Sequence, residues 1–161
     1  MGYIKVNREF PRAKEIMTPL GEQTEYQEEV FLSVLEKRIW TAKETEQFFQ
    51  KYDEELTNPV KMLEVTMELE NISKQEKQIT LHELNLEMLG FHTVIINVEV
   101  LSSDKDDKLV QNLKSQEKRR IRVLYQMVLY PFAKTDWDKF EEKDMWLTYR
   151  LYPNKRMLSL Q

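Results

Sequence analysis

Residues 63–70 read Leu63-Glu64-Val65-Thr66-Met67-Glu68-Leu69-Glu70. Apolar and polar side chains alternate here without a break. A period of two places Leu63, Val65, Met67 and Leu69 on one side of an extended chain, with Glu64, Thr66, Glu68 and Glu70 on the other. Such a strand has one dry face and one wet face, as in an antiparallel sheet that covers a core on one side. Asn71 to Gln78 is a polar run suited to a turn, and a second β-type segment starts at Ile79. The centre of the chain is therefore read as antiparallel β-sheet over a hydrophobic core.

The reading extends toward the N-terminus. Val30–Trp40 is rich in Val, Phe, Leu, Ile and Trp, as a long strand would be. Its alternation is imperfect: Val30, Leu32 and Val34 share a face, whereas Phe31, Leu35 and Ile39 fall on the other. A bulge, or burial on both faces, reconciles the two sets. The period then changes. Thr41 and Glu44 have the Thr-x-x-Glu spacing of a capping box, and Phe48, Phe49 and Tyr52 recur at helical spacing. This predicts a helix from Ala42 to near Glu54, its aromatic face docked on the end or edge of the sheet, with Asn58-Pro59 closing it. Residues 1–29 are poorly patterned. Pro11, Pro19 and Gly21 interrupt any helix, and Ile16-Met17 supports at most a short edge strand. They read as a lead-in or spacer to a single domain spanning residues 30–161.

Toward the C-terminus the alternation resumes. From Ile79 to Leu89, Leu84, Leu86 and Met88 lie on one face, with Asn85 and Glu87 opposite. Gly90 marks a bend, and Val94, Ile96, Val98 and Val100 share the next face. Ser102–Lys118 is polar and reads as a long mobile connection, with Leu109, Val110 and Leu113 able to tuck against the core. Ile121, Val123, Tyr125, Met127 and Leu129 alternate with Arg120, Arg122 and Gln126. Thr135–Asp144 reads as a short helical piece carrying Trp137 and Phe140. Met145–Tyr152 and Arg156–Leu160 read as strands of a hairpin across a Pro153-Asn154-Lys155 turn. Seven or eight short strands with one or two helical insertions make a mainly β chain and an antiparallel β-sandwich. Val65, Met67, Leu69, Ile96, Val98, Val123, Tyr125 and Leu147 are its expected core.

Composition narrows the chemistry. At 161 residues with 41% hydrophobic content the chain can bury a substantial core. Three glycines leave little material for phosphate-cradling loops, and 28 acidic against 24 basic residues give no global attraction to nucleic acid. There is no cysteine, hence no disulfide, thiolate-bound metal or thiol nucleophile. The two histidines, His82 and His92, lack any metal-binding or nucleophile-activating spacing. Asp104-Lys105-Asp106-Asp107 fails as a helical calcium loop, because its sixth and twelfth positions are Leu109 and Ser115 instead of Gly and Glu. Lys118, Arg119, Arg120 and Arg122 form a basic cluster, able to meet lipid headgroups but expected first to pair with Glu64, Glu68 and Glu70. Asn71-Ile72-Ser73 fits a glycosylation sequon but reads first as a turn. Trp40, Phe48, Phe49, Trp137, Phe140 and Trp146 read as core and helix-docking residues. No catalytic, cofactor-binding or metal-ligating residue is assigned, and no cofactor is expected.

Several stretches together carry a resemblance. They are Val6-Asn7-Arg8-Glu9-Phe10-Pro11, Pro19-Leu20-Gly21-Glu22, Leu69-Glu70-Asn71-Ile72-Ser73, Tyr130-Pro131-Phe132 and Tyr152-Pro153-Asn154-Lys155. This set resembles the ectodomains of small Gram-positive surface proteins. Those are uncharacterised membrane-anchored and lipoprotein families with an immunoglobulin-like (telokin-like) β-sandwich. The resemblance implies that immunoglobulin-like fold and a location on the extracellular face of the cell membrane. It brings no catalytic residues. It further implies an anchor absent from this chain, encoded as about 20–30 residues before Tyr3 with an apolar core and a basic flank. The expected function is a non-catalytic extracellular, membrane-tethered binding or scaffold module with a protein or cell-envelope partner and no nucleic acid. The alternative is a small cytosolic regulator or enzyme that starts at Met1.

Overall fold

The computed structural model describes residues 14–51, 60–88, 95–100, 109–128 and 138–161, with the side chains of 51, 95–100, 128 and 140 left aside. Eleven strands lie among these residues. In chain order they are β1 (Glu15–Thr18), β2 (Gln23–Gln27), β3 (Val30–Ile39), β4 (Val60–Asn71), β5 (Lys77–Thr80) and β6 (Asn85–Met88). There follow β7 (Ile95–Val100), β8 (Val110–Leu113), β9 (Lys118–Val128), β10 (Met145–Arg150) and β11 (Lys155–Ser159). Among the described residues there is one α-helix, α1 (Ala42–Lys51), between β3 and β4, and a single 3-10 turn at Phe140–Glu142.

The strands form a five-stranded sheet in the order β2-β3-β4-β9-β7 and a four-stranded sheet in the order β1-β11-β10-β6, with β5 and β8 paired separately. Every pair is antiparallel except β1 with β11. The expected β-sandwich is therefore present. Its strand count exceeds seven or eight through the short elements at the sheet edges and at β5–β8.

The central strand is β4, in register with β3 from Asn71↔Val30 to Leu63↔Ile39 and with β9 from Glu70↔Lys118 to Val60↔Val128. Leu63, Val65, Met67 and Leu69 are each fully buried, as the alternation requires. Leu32, Val34, Val123, Tyr125 and Met127 from the neighbouring strands join them, and Leu86, Met88, Leu147 and Leu158 from the second sheet complete the core. Each such side chain contributes about 1.5–3 kcal/mol by leaving water.

Register resolves the irregularity of β3. A bulge between Val34 and Glu36 reverses the facing of the strand, so Ile39 packs on the main core with Val30, Leu32 and Val34. Helix α1 starts as predicted. The Glu44 amide donates to Thr41 Oγ1 at 3.2 Å, and the Thr41 amide donates to Glu44 Oε1 at 3.1 Å. Its described residues end at Lys51, so the expected extension to Glu54 lies outside them. Phe49 packs on Met62 and Leu124, two apolar residues on the otherwise polar outer face of the central sheet, with Trp40, Phe48 and Val60 around them.

Four readings change. Glu15–Thr18 and Gln23–Gln27 are edge strands of the two sheets, so the sandwich begins well before Val30 and the described part of the lead-in, residues 14–29, belongs to it. The segment from Ile79 is two strands, broken by a turn at His82-Glu83, and they belong to different sheets. The polar connection from Ser102 to Lys118 contains β8, with Leu113 fully buried and Leu109 packed on the core. The helical piece expected over Thr135–Asp144 is, among described residues, little more than the turn at Phe140–Glu142. Ile96, Val98, Leu129 and the Pro131 and Trp137 positions lie outside the described side chains.

Candidate functional site

The outer face of β3-β4-β9 collects most of the paired charge. On β4, alternation sends Glu64, Glu68 and Glu70 outward; on β9 it sends Lys118, Arg120 and Arg122 to the same side. Direct register opposes Glu68 to Arg120 and Glu70 to Lys118. The contacts follow: Arg120 to Glu68 at 3.6 Å, Lys118 to Glu70 at 3.5 Å and Lys118 to Glu68 at 3.9 Å. Glu64 is the buried member, only 6% exposed. The Arg38 Nε–H donates to its Oε2 at 3.1 Å, and the Arg122 guanidinium donates to its Oε1 at 3.2 Å. Arg38 also reaches both carboxylate oxygens of Glu44 at 2.8 Å, which ties the cap of α1 to the sheet. The basic cluster therefore pairs with the acidic face as expected. Arg119 alone turns to the other side of β9, where it binds Glu117 at 2.7 Å and Gln111 at 3.1 Å.

Titration follows these contacts. Glu44 is held below the usual carboxylate range by the Thr41 amide first and by Arg38 second. Burial pushes Glu87 upward, but hydrogen bonds from Lys155 (3.1 Å) and the Trp146 indole (2.7 Å) outweigh it and leave the carboxyl low. Glu117 is held low by the Lys114 amide and by Arg119. Burial moves the phenols the opposite way. Tyr26 is pushed up to about 12, with Glu83 adding to the effect, and Tyr125 is raised as well. Burial lowers Lys37, with Asp144 opposing the shift. General acid–base catalysis favours a group that titrates near the working pH. The three carboxyls and two phenols move away from neutrality, whereas Lys37 moves toward it.

Asn71 is a structural residue. Its side chain is fully buried, and its Nδ2 amide group lies 2.7 Å from the Gln75 carbonyl oxygen and 3.1 Å from those of Leu113 and Lys114. Its Oδ1 accepts from the Ser73 amide (2.9 Å) and hydroxyl (2.6 Å). Gln116, at φ 64°, closes the same knot through bonds from its Nε2 to the Ile72 and Ser73 carbonyls. In the folded protein the sequon amide is therefore shielded from a glycosylating enzyme.

The remaining candidates scatter. His82 is exposed in the turn before β6, whereas His92 and Asp104–Asp107 lie outside the described residues. Among the described residues no group of three or more His, Asp or Glu is placed to hold a metal ion. Trp40, Phe48 and Phe49 stack edge to face at centroid distances of 5.5 and 5.6 Å and dock the helix, as expected. No helix among the described residues is long and apolar enough to cross a membrane.

One surface feature escaped the sequence reading. At the β10–β11 turn, Leu151 is 60% and Tyr152 82% exposed, and Pro153 beside them is exposed too. The Lys155 amide donates to the Lys14 carbonyl at 2.9 Å, so the start of β1 lies against this turn. Its only signal in the sequence was three consecutive apolar residues, Leu151 and Tyr152 at the end of the expected strand and Pro153 at the start of the turn.

Comparison with known proteins gives fold and family. No curated protein matches this chain. The crystal structure of an uncharacterized beta-sandwich protein from Clostridium difficile 630 is similar, with a TM-score of 0.57 at 12% identity, over 94% of this chain and 98% of that one. At that identity the likeness shows the sandwich alone. A family model described as a domain of unknown function (DUF5028) matches residues 16–156, most of the chain, so the protein belongs to the DUF5028 family.

Proposed function

We propose that this domain is a non-catalytic binding or scaffold module held on the extracellular face of the cell membrane by an anchor outside this chain. Its partner is a protein or cell-envelope component. The observation that carries the non-catalytic part is the commitment of the acidic sheet face to structural ion pairs: Glu64 is bound by Arg38 and Arg122, and Glu68 and Glu70 by Arg120 and Lys118. Glu44 and Glu117 are likewise tied to a helix cap and a turn. A sheet face cross-linked by ion pairs suits a rigid body that presents loops. The membrane location rests on the resemblance of Val6–Pro11 to the segment that follows the anchor in small Gram-positive surface proteins.

Labelling of intact native cells with a membrane-impermeant amine reagent tests the proposal. Surface lysines such as Lys14 and Lys118 should be modified before lysis, and the protein should sediment with membranes. Modification only after lysis, with the protein in the soluble fraction, would overturn it.

A further inference from the structure

We infer that the β10–β11 turn is a membrane-contacting tip, in which Leu151, Tyr152 and Pro153 enter the headgroup region of an anionic bilayer. Single exposed apolar residues are ordinary on protein surfaces, but a run of three at the end of a hairpin is not. Leu151 and Tyr152 are the most exposed large hydrophobic residues described, while the rest of β10 and β11 buries Leu147, Tyr149, Met157 and Leu158. Tyrosine suits the bilayer interface because its ring is apolar and its hydroxyl is wet.

Charge selects the kind of surface. Arg150 and Arg156 face each other in register directly behind the tip, Lys155 begins β11, and Lys14 is fixed beside it by the backbone bond to Lys155. Among the described residues, two carboxylates face or bind these four bases: Glu15, opposite Lys155 in register, and Glu87, bound to the Lys155 ammonium; Arg150 also donates to the Tyr26 carbonyl at 3.2 Å. The described residues around the tip thus carry more bases than acids on a chain whose net charge is −4. An anionic surface would attract this end and repel the rest, which orients the domain tip-down.

Size argues against a protein as the occupant. A stable protein interface uses roughly 20–30 residues a side. A tip of three residues with bases around it is far smaller, yet it is enough to insert between headgroups and be held by charge. The inference goes beyond the tethered-module proposal and does not depend on an anchor.

The test is cosedimentation of the 161-residue chain with vesicles of phosphatidylcholine, alone or with phosphatidylglycerol. Binding should rise with phosphatidylglycerol content and fall with added salt. L151S/Y152S should weaken it by about tenfold or more. K14Q/R156Q should weaken it by roughly fivefold for each base removed. Both variants alter solvent-facing or half-exposed positions, and an unchanged circular dichroism spectrum and melting temperature establish that they fold. Absence of binding to phosphatidylglycerol vesicles, equal binding to neutral ones, or full binding by folded L151S/Y152S would each overturn the assignment. Surface labelling of cells is unaffected by any of these results, so the two proposals fail separately.

Discussion

Replacing Asn71 by alanine should be among the most damaging single polar substitutions in the described structure. The side chain is fully buried at the end of β4. Its Nδ2 group has two hydrogens to share among the three carbonyls of Gln75, Leu113 and Lys114, and its Oδ1 accepts two more bonds from Ser73. Four full bonds at ~0.5–1.5 kcal/mol each amount to about 4 kcal/mol, since the groups left behind are largely shut off from water. For a domain of this size that corresponds to a melting temperature lowered by about 8–16 °C. Urea and thermal unfolding followed by circular dichroism would measure it. Ile72→Ala, at a half-exposed neighbour, is the control and should stay within about 0.5 kcal/mol of wild type. Asn71→Asp adds a test of sign. Burial and the three facing carbonyls raise the carboxyl's folded pKa above its unfolded value of about 3.9. Stability is then lost as pH rises past that unfolded value, so the deficit of this variant against wild type should be small near pH 4 and grow toward pH 7. An Asn71→Ala protein within about 1 kcal/mol of wild type would refute the knot as a stabilising unit. A deficit of Asn71→Asp independent of pH would refute the account of its burial.

Other expectations follow from the same structure. Leu69→Ala should cost roughly 2–5 kcal/mol in urea unfolding, and Met67→Asp more, because it places an unpaired charge in the core; an unchanged melting temperature for Met67→Asp would undo the central-strand assignment. Glu44, Glu87 and Glu117 have lowered folded pKa values, so the stability they supply is present above the unfolded carboxylate value and lost as pH falls through the folded ones. Wild type should therefore weaken below about pH 4.5, and Glu87→Gln should flatten part of that acid limb in pH-dependent melting. Calcium, zinc or a chelator at millimolar concentration should leave the melting temperature nearly unchanged, whereas a rise of several degrees with calcium would point to a bound ion.

What was legible in the sequence was local. The alternation of Leu63 to Glu70 specified β4 and its buried face, because successive side chains of an extended chain must point to opposite sides. The capping box at Thr41 and Glu44 specified the start of α1, because both hydrogen bonds close within one turn. The pairing of Glu68 and Glu70 with Arg120 and Lys118 was also foreseen, since each strand already showed a single-signed wet face.

The remainder depended on which strand lies beside which. Strand β8 was hidden because its alternation is made by Gln111 as well as Leu113; Gln111 is buried, with the Arg119 guanidinium donating to its Oε1 at 3.1 Å. Ile39 read as facing away from the core until the bulge near Leu35 reversed it. The break at His82-Glu83 carries little signal of its own, and the two sheets decide it by claiming the strands on either side. Asn71 reads as an ordinary turn residue, yet two of its side-chain partners, the Leu113 and Lys114 carbonyls, lie in the β8–β9 hairpin. Sequence by itself determined the periods, the caps and the faces, which depend on neighbours a few residues away. Only the tertiary structure decided register, sheet membership and which polar groups are buried, because those depend on hydrogen-bond partners that the chain brings together from more than forty positions away.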